Sequence, residues 1–263
     1  DLPLSRGLGD VYKRQNVVTT LMEDTSGPWM EHFAHKEARD QQGQFMADAY
    51  LSLIKGRTII AEAPTGLGKT AASLASALAA MKESENVKKI LFLTGRQSQH
   101  KIVIDTIRKL NDNRKDHPNV AIVDLIGRES MCGKLTIDRQ CFCEEGVSEK
   151  ARGGRRSQLK RWILEWPRHV EETVKNGRIE GTCPYMCCIE AAREAEIIVM
   201  DYNHVFVESV SDSSLPSMSI DVGSSIVIVD EAHNLPDRIK MGLEMRLTSK
   251  TVKAARFELE EHQ

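Results

Sequence analysis

The segment Ala61-Glu-Ala-Pro-Thr-Gly-Leu-Gly-Lys-Thr70 constrains this chain more than any other. Ala63, Gly68, Lys69 and Thr70 stand at phosphate-loop spacing, a signal that carries weight only between a strand and a helix. The flanks predict both: Arg57–Ala63 is β-branched and reads as a strand, while Lys69–Lys82 is rich in Ala and Leu and reads as a helix. In that setting Gly66 and Gly68 let backbone N–H groups converge on phosphate oxygens, and the helix N-terminus adds a favourable dipole. The candidate ATP contacts are therefore Ala63, Pro64, Thr65, Gly66, Leu67, Gly68, Lys69 and Thr70. Lys69 is expected to reach the β- and γ-phosphates, and the Thr70 hydroxyl to ligate Mg²⁺. Ala63 stands where the general motif has Gly, which an ordinary backbone conformation tolerates. The plainer reading is a glycine-rich turn without nucleotide.

A second motif answers the first. Ser225-Ile-Val-Ile-Val-Asp230-Glu231-Ala232-His233 is an apolar strand ending in two carboxylates. At the sheet edge that carries the phosphate loop, Asp230 can hold the Mg²⁺ shell, Glu231 can polarise the attacking water, and His233 can link the site to its surroundings. Lys69, Asp230, Glu231 and His233 are the candidate catalytic set. An Asp-Glu after an apolar strand is, taken alone, often only a polar strand end.

Further strands are expected at Lys89–Thr94, Val120–Ile126 and Glu196–Met200, and helices at about Gln41–Lys55 and Gln99–Leu110. Alternation of this kind predicts a parallel α/β sheet. The rhythm breaks at Gly127 and resumes at Ala195, so the intervening segment reads as a loop-rich insertion with little core of its own. All six cysteines lie within it, from Cys132 to Cys188. Without a secretion signal, thiols concentrated in one segment point to metal binding in a reduced, intracellular setting rather than to disulfides. Between them, residues 150–178 carry nine Lys and Arg against three Glu. That local excess suits single-stranded DNA, with Trp162 and Trp166 as stacking faces, although both tryptophans equally fit the insertion's core. The whole chain has a formal charge of -2, so any nucleic-acid surface must be local. A hydrophobic fraction of 41% with 28% charged residues is that of a soluble globular protein, and no apolar run approaches the roughly 20 residues of a membrane span.

The stretches Glu62–Thr70 and Asp230-Glu-Ala-His-Asn234 together resemble the XPD and DinG branch of superfamily-two helicases. Arg39-Asp-Gln-Gln42 resembles that branch's element near the adenine, with Gln42 as the contact; a solvated helix start is the alternative. Leu93-Thr-Gly-Arg-Gln-Ser-Gln99 resembles its DNA-backbone motif, departing from it because Gly95 stands where Arg is usual and Arg96 falls one place later. Thr94, Arg96 and Gln99 are the resulting DNA candidates, joined by Arg152, Arg155 and Arg156 from the basic run.

In this branch the insertion holds a [4Fe–4S] cluster on four cysteines. The resemblance assigns Cys132, Cys141, Cys143 and Cys183, with Cys-x-Cys in the middle where Cys-x-x-Cys is commoner, and leaves Cys187 and Cys188 spare. Zinc would accept the same four thiolates, and buried, unliganded cysteines are the bland option.

The implied architecture is a RecA-like phosphate-loop sheet with an inserted cysteine-rich domain. Residues 1–15 read as a non-native adapter-like scar, 16–126 as the first part of a motor domain, 127–190 as the cluster insertion and 191–238 as the second part. Residues 239–263 read as the truncated start of a helical arch-like domain. The activity implied is ATP-dependent 5′→3′ DNA unwinding in repair, weak or absent in this stretch alone; the alternatives are a phosphate-loop ATPase with a zinc-stapled insertion acting on a non-DNA substrate, and a non-catalytic nucleic-acid-binding fragment. Its partner would be single-stranded or forked DNA, with no membrane, in the cytoplasm or nucleoid of a prokaryote or the nucleus of a eukaryote.

Overall fold

The computed structural model describes residues 26–39, 41–63, 66–132, 143–244, 252 and 256–260. Residues 1–15, Pro64, Thr65 and Cys141, along with much of the segment 239–263 expected to begin a helical arch-like domain, lie outside them.

Two helices, α1 (Gln42–Ile54) and α2 (Lys69–Glu83), precede strand β1 (Lys89–Leu93). Helix α3 (Gln97–Asn113) leads to β2 (Ile122–Asp124). Four helices follow before β3 (Ile197–Met200): α4 (Arg128–Met131), α5 (Glu149–Glu165), α6 (Val170–Glu180) and α7 (Pro184–Ala192). Then come α8 (Asn203–Phe206), α9 (Glu208–Ser217), β4 (Ser225–Val229) and α10 (Leu235–Leu243). Among the described residues the strands form one sheet in the order β2-β3-β1-β4, every pair parallel. Parallel neighbours cannot be joined by a hairpin, so each connection crosses over through helices that cover the faces.

Side chains alternate across the sheet, and the strand sequences are apolar on both sides. Ile90, Phe92, Ile122, Ile197, Val199 and Ile226 enter one core with Leu74 and Leu78 of α2 and Ile104 and Ile107 of α3. Leu91, Leu93, Val123, Ile198 and Met200 enter the other with Leu159 and Ile163 of α5, Val170 of α6 and Ile189 of α7. Each such side chain contributes roughly 1.5–3 kcal/mol of burial. Helix α2 lies close because it is alanine-rich, with Ala71, Ala72, Ala75 and Ala77 all buried. Helix α3 instead presents a stripe, His100, Val103, Ile104, Ile107 and Leu110, at helical spacing.

Two expectations are corrected. Arg57–Ala63 is not a strand: it forms no ladder with β4. Ile59–Ala63 and Ile226–Val229 instead line a common cavity, and Ile60 is 95% exposed. A β-branched run becomes a strand only where a neighbour takes its N–H and C=O groups. The cysteine-bearing insertion is not loop-rich over 149–192, where helices α5, α6 and α7 follow one another closely. Nor does it have a separate small core, because those helices form the layer on the sheet's second face. Lys89 ties that layer down. Its buried ammonium donates to the Arg193 carbonyl (3.0 Å) and the Ala195 carbonyl (2.8 Å) just beyond α7. No helix of the described residues is long and apolar enough to cross a membrane.

Candidate functional site

The turn entering α2 is shaped by its glycines. Gly66 and Gly68 take φ of +87° and +82°, a region costly for any residue with a Cβ. A Cβ on Gly68 would also lie 2.6 Å from the Gln42 amide nitrogen. Sequence reasoning did not anticipate what Arg39 and Gln42 do here. The Gln42 amide donates to the Gly68 carbonyl at 3.2 Å, its carbonyl accepts from the Arg39 N–H at 3.1 Å, and the Arg39 guanidinium donates to the Gly66 carbonyl. Both residues of the Arg-x-x-Gln element thus fasten the loop's backbone. The four-residue spacing was the available signal, but it does not name its partner.

Lys69, Thr70, Asp230, Glu231 and His233 line one cavity of about 490 Å³, with Ala63 on the same wall. The Lys69 amine donates to the Ala63 carbonyl at 2.9 Å, across the loop. Asp230 follows the end of β4, and its N–H donates to the Leu93 carbonyl at 2.9 Å. This holds the carboxylate at the strand's C-terminal edge, where open α/β sheets bind ligands. Burial raises the Asp230 carboxyl above its ordinary value and the Glu231 charge adds to this, while the Glu231 backbone bond and Lys69 draw it back. Glu231 itself has φ of +51°, uncommon for a residue with a side chain and typical of functional turns. His233 Nδ1 lies 3.4 Å from a Glu231 carboxylate oxygen.

Thr94 is buried at the end of β1 and donates its N–H to the Met200 carbonyl at 3.1 Å. Arg96 is exposed and Gln99 half-buried in the first turn of α3. This segment is joined to the carboxylates through Tyr202, missed in the sequence, whose hydroxyl donates to the Asp230 carbonyl and whose ring lies 3.1 Å from where a Gly95 Cβ would be. Gly95 therefore permits a close approach that the arginine usual at this position would obstruct. Arg238 of α10 donates to the Gly95 carbonyl at 3.3 Å from the other side.

In the insertion, Cys132 Sγ lies 3.1 Å from Cys143 Sγ. Cys183 is tied to the same place by its N–H, which donates to the Glu144 carboxylate at 3.2 Å. Among the described residues no three His, Cys, Asp or Glu side chains converge as a group that could hold a metal ion. The two facing thiols, Cys132 and Cys143, are donors of the kind that a soft-metal or iron–sulfur centre takes. Cys187 and Cys188 are fully buried in the core of the second face. Burial pushes the Cys187 thiol up to about 12 and Cys188 well above its usual value. Of the basic run, Arg156 pairs with Glu144 and Glu190, Arg152 lies 3.7 Å from Glu144, and exposed Arg155 donates to the Gly181 carbonyl. Trp162 packs at the edge of the core with the Arg168 guanidinium 4.1 Å from its ring centre.

Residues 92–252 match the DEAD_2 family model, and residues 40–135 match that of the DEAD/DEAH box helicases. The first match covers more than half of the chain, which belongs to the DEAD_2 family. The human regulator of telomere elongation helicase 1 is 26% identical over 232 residues, 80% of this chain and 16% of that protein. The ATP-dependent DNA helicase chl1 of Schizosaccharomyces pombe is 28% identical over 167 residues, 58% of this chain and 19% of that one. Among solved structures, a truncated XPD aligns with a TM-score of 0.55 over 80% of this chain and 58% of its own, at 23% identity. An XPD helicase aligns with a TM-score of 0.54 over 79% of this chain and 34% of its own, at 22% identity. The structural likeness speaks to an XPD-like, RecA-type fold.

Proposed function

We propose that this chain supplies the ATP-binding motor lobe of an ATP-dependent DNA helicase, interrupted by a cysteine-ligated [4Fe–4S] insertion. One observation carries the reading: the Lys69 amine, the Thr70 hydroxyl and the Asp230 and Glu231 carboxylates open into a single cavity. Gly66, Leu67 and Gly68 cradle the phosphates, Lys69 neutralises them, and Thr70 and Asp230 hold Mg²⁺, which favours the ionised form of a carboxylate that burial disfavours. Glu231 orients the attacking water and accepts its proton, and His233 positions Glu231. Pro64 and Thr65 complete the nucleotide contacts, and buried Gln42 acts by holding the loop backbone through Gly68 and Arg39.

Names of relatives from human and fission yeast support DNA as substrate. Arg96 and Gln99 then meet the DNA backbone at the edge of the sheet, with buried Thr94 fixing the turn beneath them, and Arg152 and Arg155 extend the contact over the insertion. Directional unwinding of forked DNA in genome maintenance, 5′→3′, is the finer reading.

Cys132, Cys143 and Cys183, with Cys141, would hold the cluster, whose contribution is to fix the insertion against the motor sheet. Anaerobic purification tests this part: iron and sulfide in the protein with broad visible absorption support a cluster, and stoichiometric zinc replaces it with a zinc site.

Calorimetric titration with Mg·ATP tests the nucleotide site. Lys69→Ala removes charge-assisted hydrogen bonds worth about 1.5–3 kcal/mol, roughly 10–100-fold in affinity. Equal affinity of the two proteins sinks the reading.

A further inference from the structure

Glu144 is not a thiol, bears on no nucleotide contact, and lies beside the residues assigned to the cluster. Its carboxylate is nonetheless among the most heavily bonded groups in the molecule. Arg156 grips it with two nitrogens, Nε at 2.8 Å and Nη2 closer still. The Thr182 hydroxyl donates to it at 2.7 Å and the Cys183 N–H at 3.2 Å. Arg156 in turn reaches Glu190 on α7 at 3.3 Å. The knot therefore joins four stretches: the turn after Cys143, the middle of α5, the residues that enter α7, and α7 itself.

The knot borders two cysteines. Glu144 directly follows Cys143, whose sulfur touches that of Cys132. Cys183 precedes the first residue of α7, so its N–H finds no partner within the helix, and Glu144 accepts from it. A carboxylate 39 residues away in sequence thus fixes the Cys183 backbone relative to Cys143. A half-buried ion pair of this kind yields little net stability compared with apolar filling, because desolvation offsets the attraction. What it does supply is position, since the planar guanidinium accepts a carboxylate in one orientation.

We infer that Glu144 and Arg156 form a clasp that presets the spacing of Cys143 and Cys183, making Glu144 a positioning residue that governs how firmly the insertion retains its metal centre. The clasp acts through the thiols, and the inference rests on the proposed cysteine-ligated site. Outer partners of metal ligands typically alter affinity about 10–100-fold on removal.

The test uses the whole chain, purified anaerobically and reconstituted with ferrous iron and sulfide. It reads iron per chain and the rate at which a ferrous chelator bleaches the visible absorption. Glu144→Ala and Arg156→Ala should each accelerate bleaching about tenfold or more. The double variant should be no faster than the faster single one, because the two residues act as a unit. Glu144→Gln, which keeps shape and the acceptor for Cys183 but loses the charge for Arg156, covers the case in which an alanine variant does not fold. Faster bleaching by Glu144→Gln with an unchanged melting temperature supports the clasp. Bleaching within about twofold of wild type, or multiplicative effects in the double variant, overturns it. If the wild type carries zinc instead, zinc release to a chelating dye is read on the same variants with the same criteria. A wild-type chain that takes up neither metal overturns the cysteine-site reading and the clasp with it, whereas a loaded wild type with unaffected variants overturns the clasp alone.

Discussion

At the nucleotide cavity, Lys69 opens a helix and Asp230 closes a strand, so regular elements bring the two side chains to one place. At the thiol site, Cys132 follows the short α4, Cys143 lies in a turn and Cys183 precedes α7, and the Glu144 carboxylate links the last two. The first arrangement is written in main-chain geometry: glycines at positive φ, a ladder of parallel strands, a helix N-terminus. The second is written in side-chain contacts between stretches that no short motif spans. A site of the first kind tolerates loss of one chemical group without losing its shape. A site of the second kind loses chemistry and shape together.

The sharpest way to break this contrast is Glu231→Gln. In an enzyme containing this chain, removal of the proposed proton acceptor should lower ATP turnover by about 10²–10⁴-fold. Mg·ATP affinity and iron content should stay close to wild type, because neither the loop backbone nor the thiols depend on Glu231. Steady-state kinetics, calorimetry and metal analysis on the same preparation check all three. A large fall in nucleotide affinity would show that the cavity is held together by its side chains after all.

Next in size is Cys183→Ser. Loss of this proposed ligand should weaken metal retention by at least the roughly 10–100-fold typical of outer partners, with nucleotide affinity unaltered. A concurrent loss of ATP binding would mean that the insertion braces the cavity. That result would sharpen the comparison by joining the two sites through the shared second-face core.

The same contrast explains what could be read from the sequence. The glycine turn entering α2 and the strand that ends before Asp230 were legible because their geometry is local: a few residues determine the turn, and α2 and β4 follow from spacing, whereas the strand expected before the loop does not form. The sheet strands around Ile90, Ile197 and Ile226 were legible because burial on both faces leaves a continuous apolar run. Arg57–Ala63 misled for a related reason. Its β-branched residues satisfy the strand pattern, but pairing depends on a neighbour that the pattern does not contain. Arg156 shows the limit on the charged side. In the sequence it is one more cation in a basic run with Arg152 and Arg155, and only the fold turns it toward Glu144 and Glu190. Glu144 carried no signal, since its partners lie 12 to 39 residues away.

Gly68→Ala probes the backbone-built site directly. At φ of +82° a Cβ costs about 1–2 kcal/mol, and at 2.6 Å it displaces the Gln42 amide that holds the loop. Mg·ATP affinity should fall roughly five- to thirtyfold, measured by calorimetry, with little change in metal content. An unchanged affinity would mean that the loop adopts a different backbone when phosphate binds.

The smallest expected effect belongs to Cys187→Ala, and it discriminates most finely. Cys187 is one helical turn beyond Cys183 and is the nearest rival for its place as a ligand. Its side chain is fully buried and its sulfur lies 3.9 Å from the Thr182 hydroxyl. Cys187 belongs to the apolar core of the sheet's second face, which Cys183 does not join, and this favours a core residue over a donor. Removing the sulfur should therefore cost only about 1 kcal/mol of stability, as for deletion of one buried heavy atom, and leave iron per chain and the rate of chelator bleaching unchanged. Thermal melts and metal analysis of Cys187→Ala beside Cys183→Ser make the decision. If both variants lose metal, the fourth ligand is not Cys183 alone, and the clasp would be positioning the first turn of α7 rather than a single cysteine.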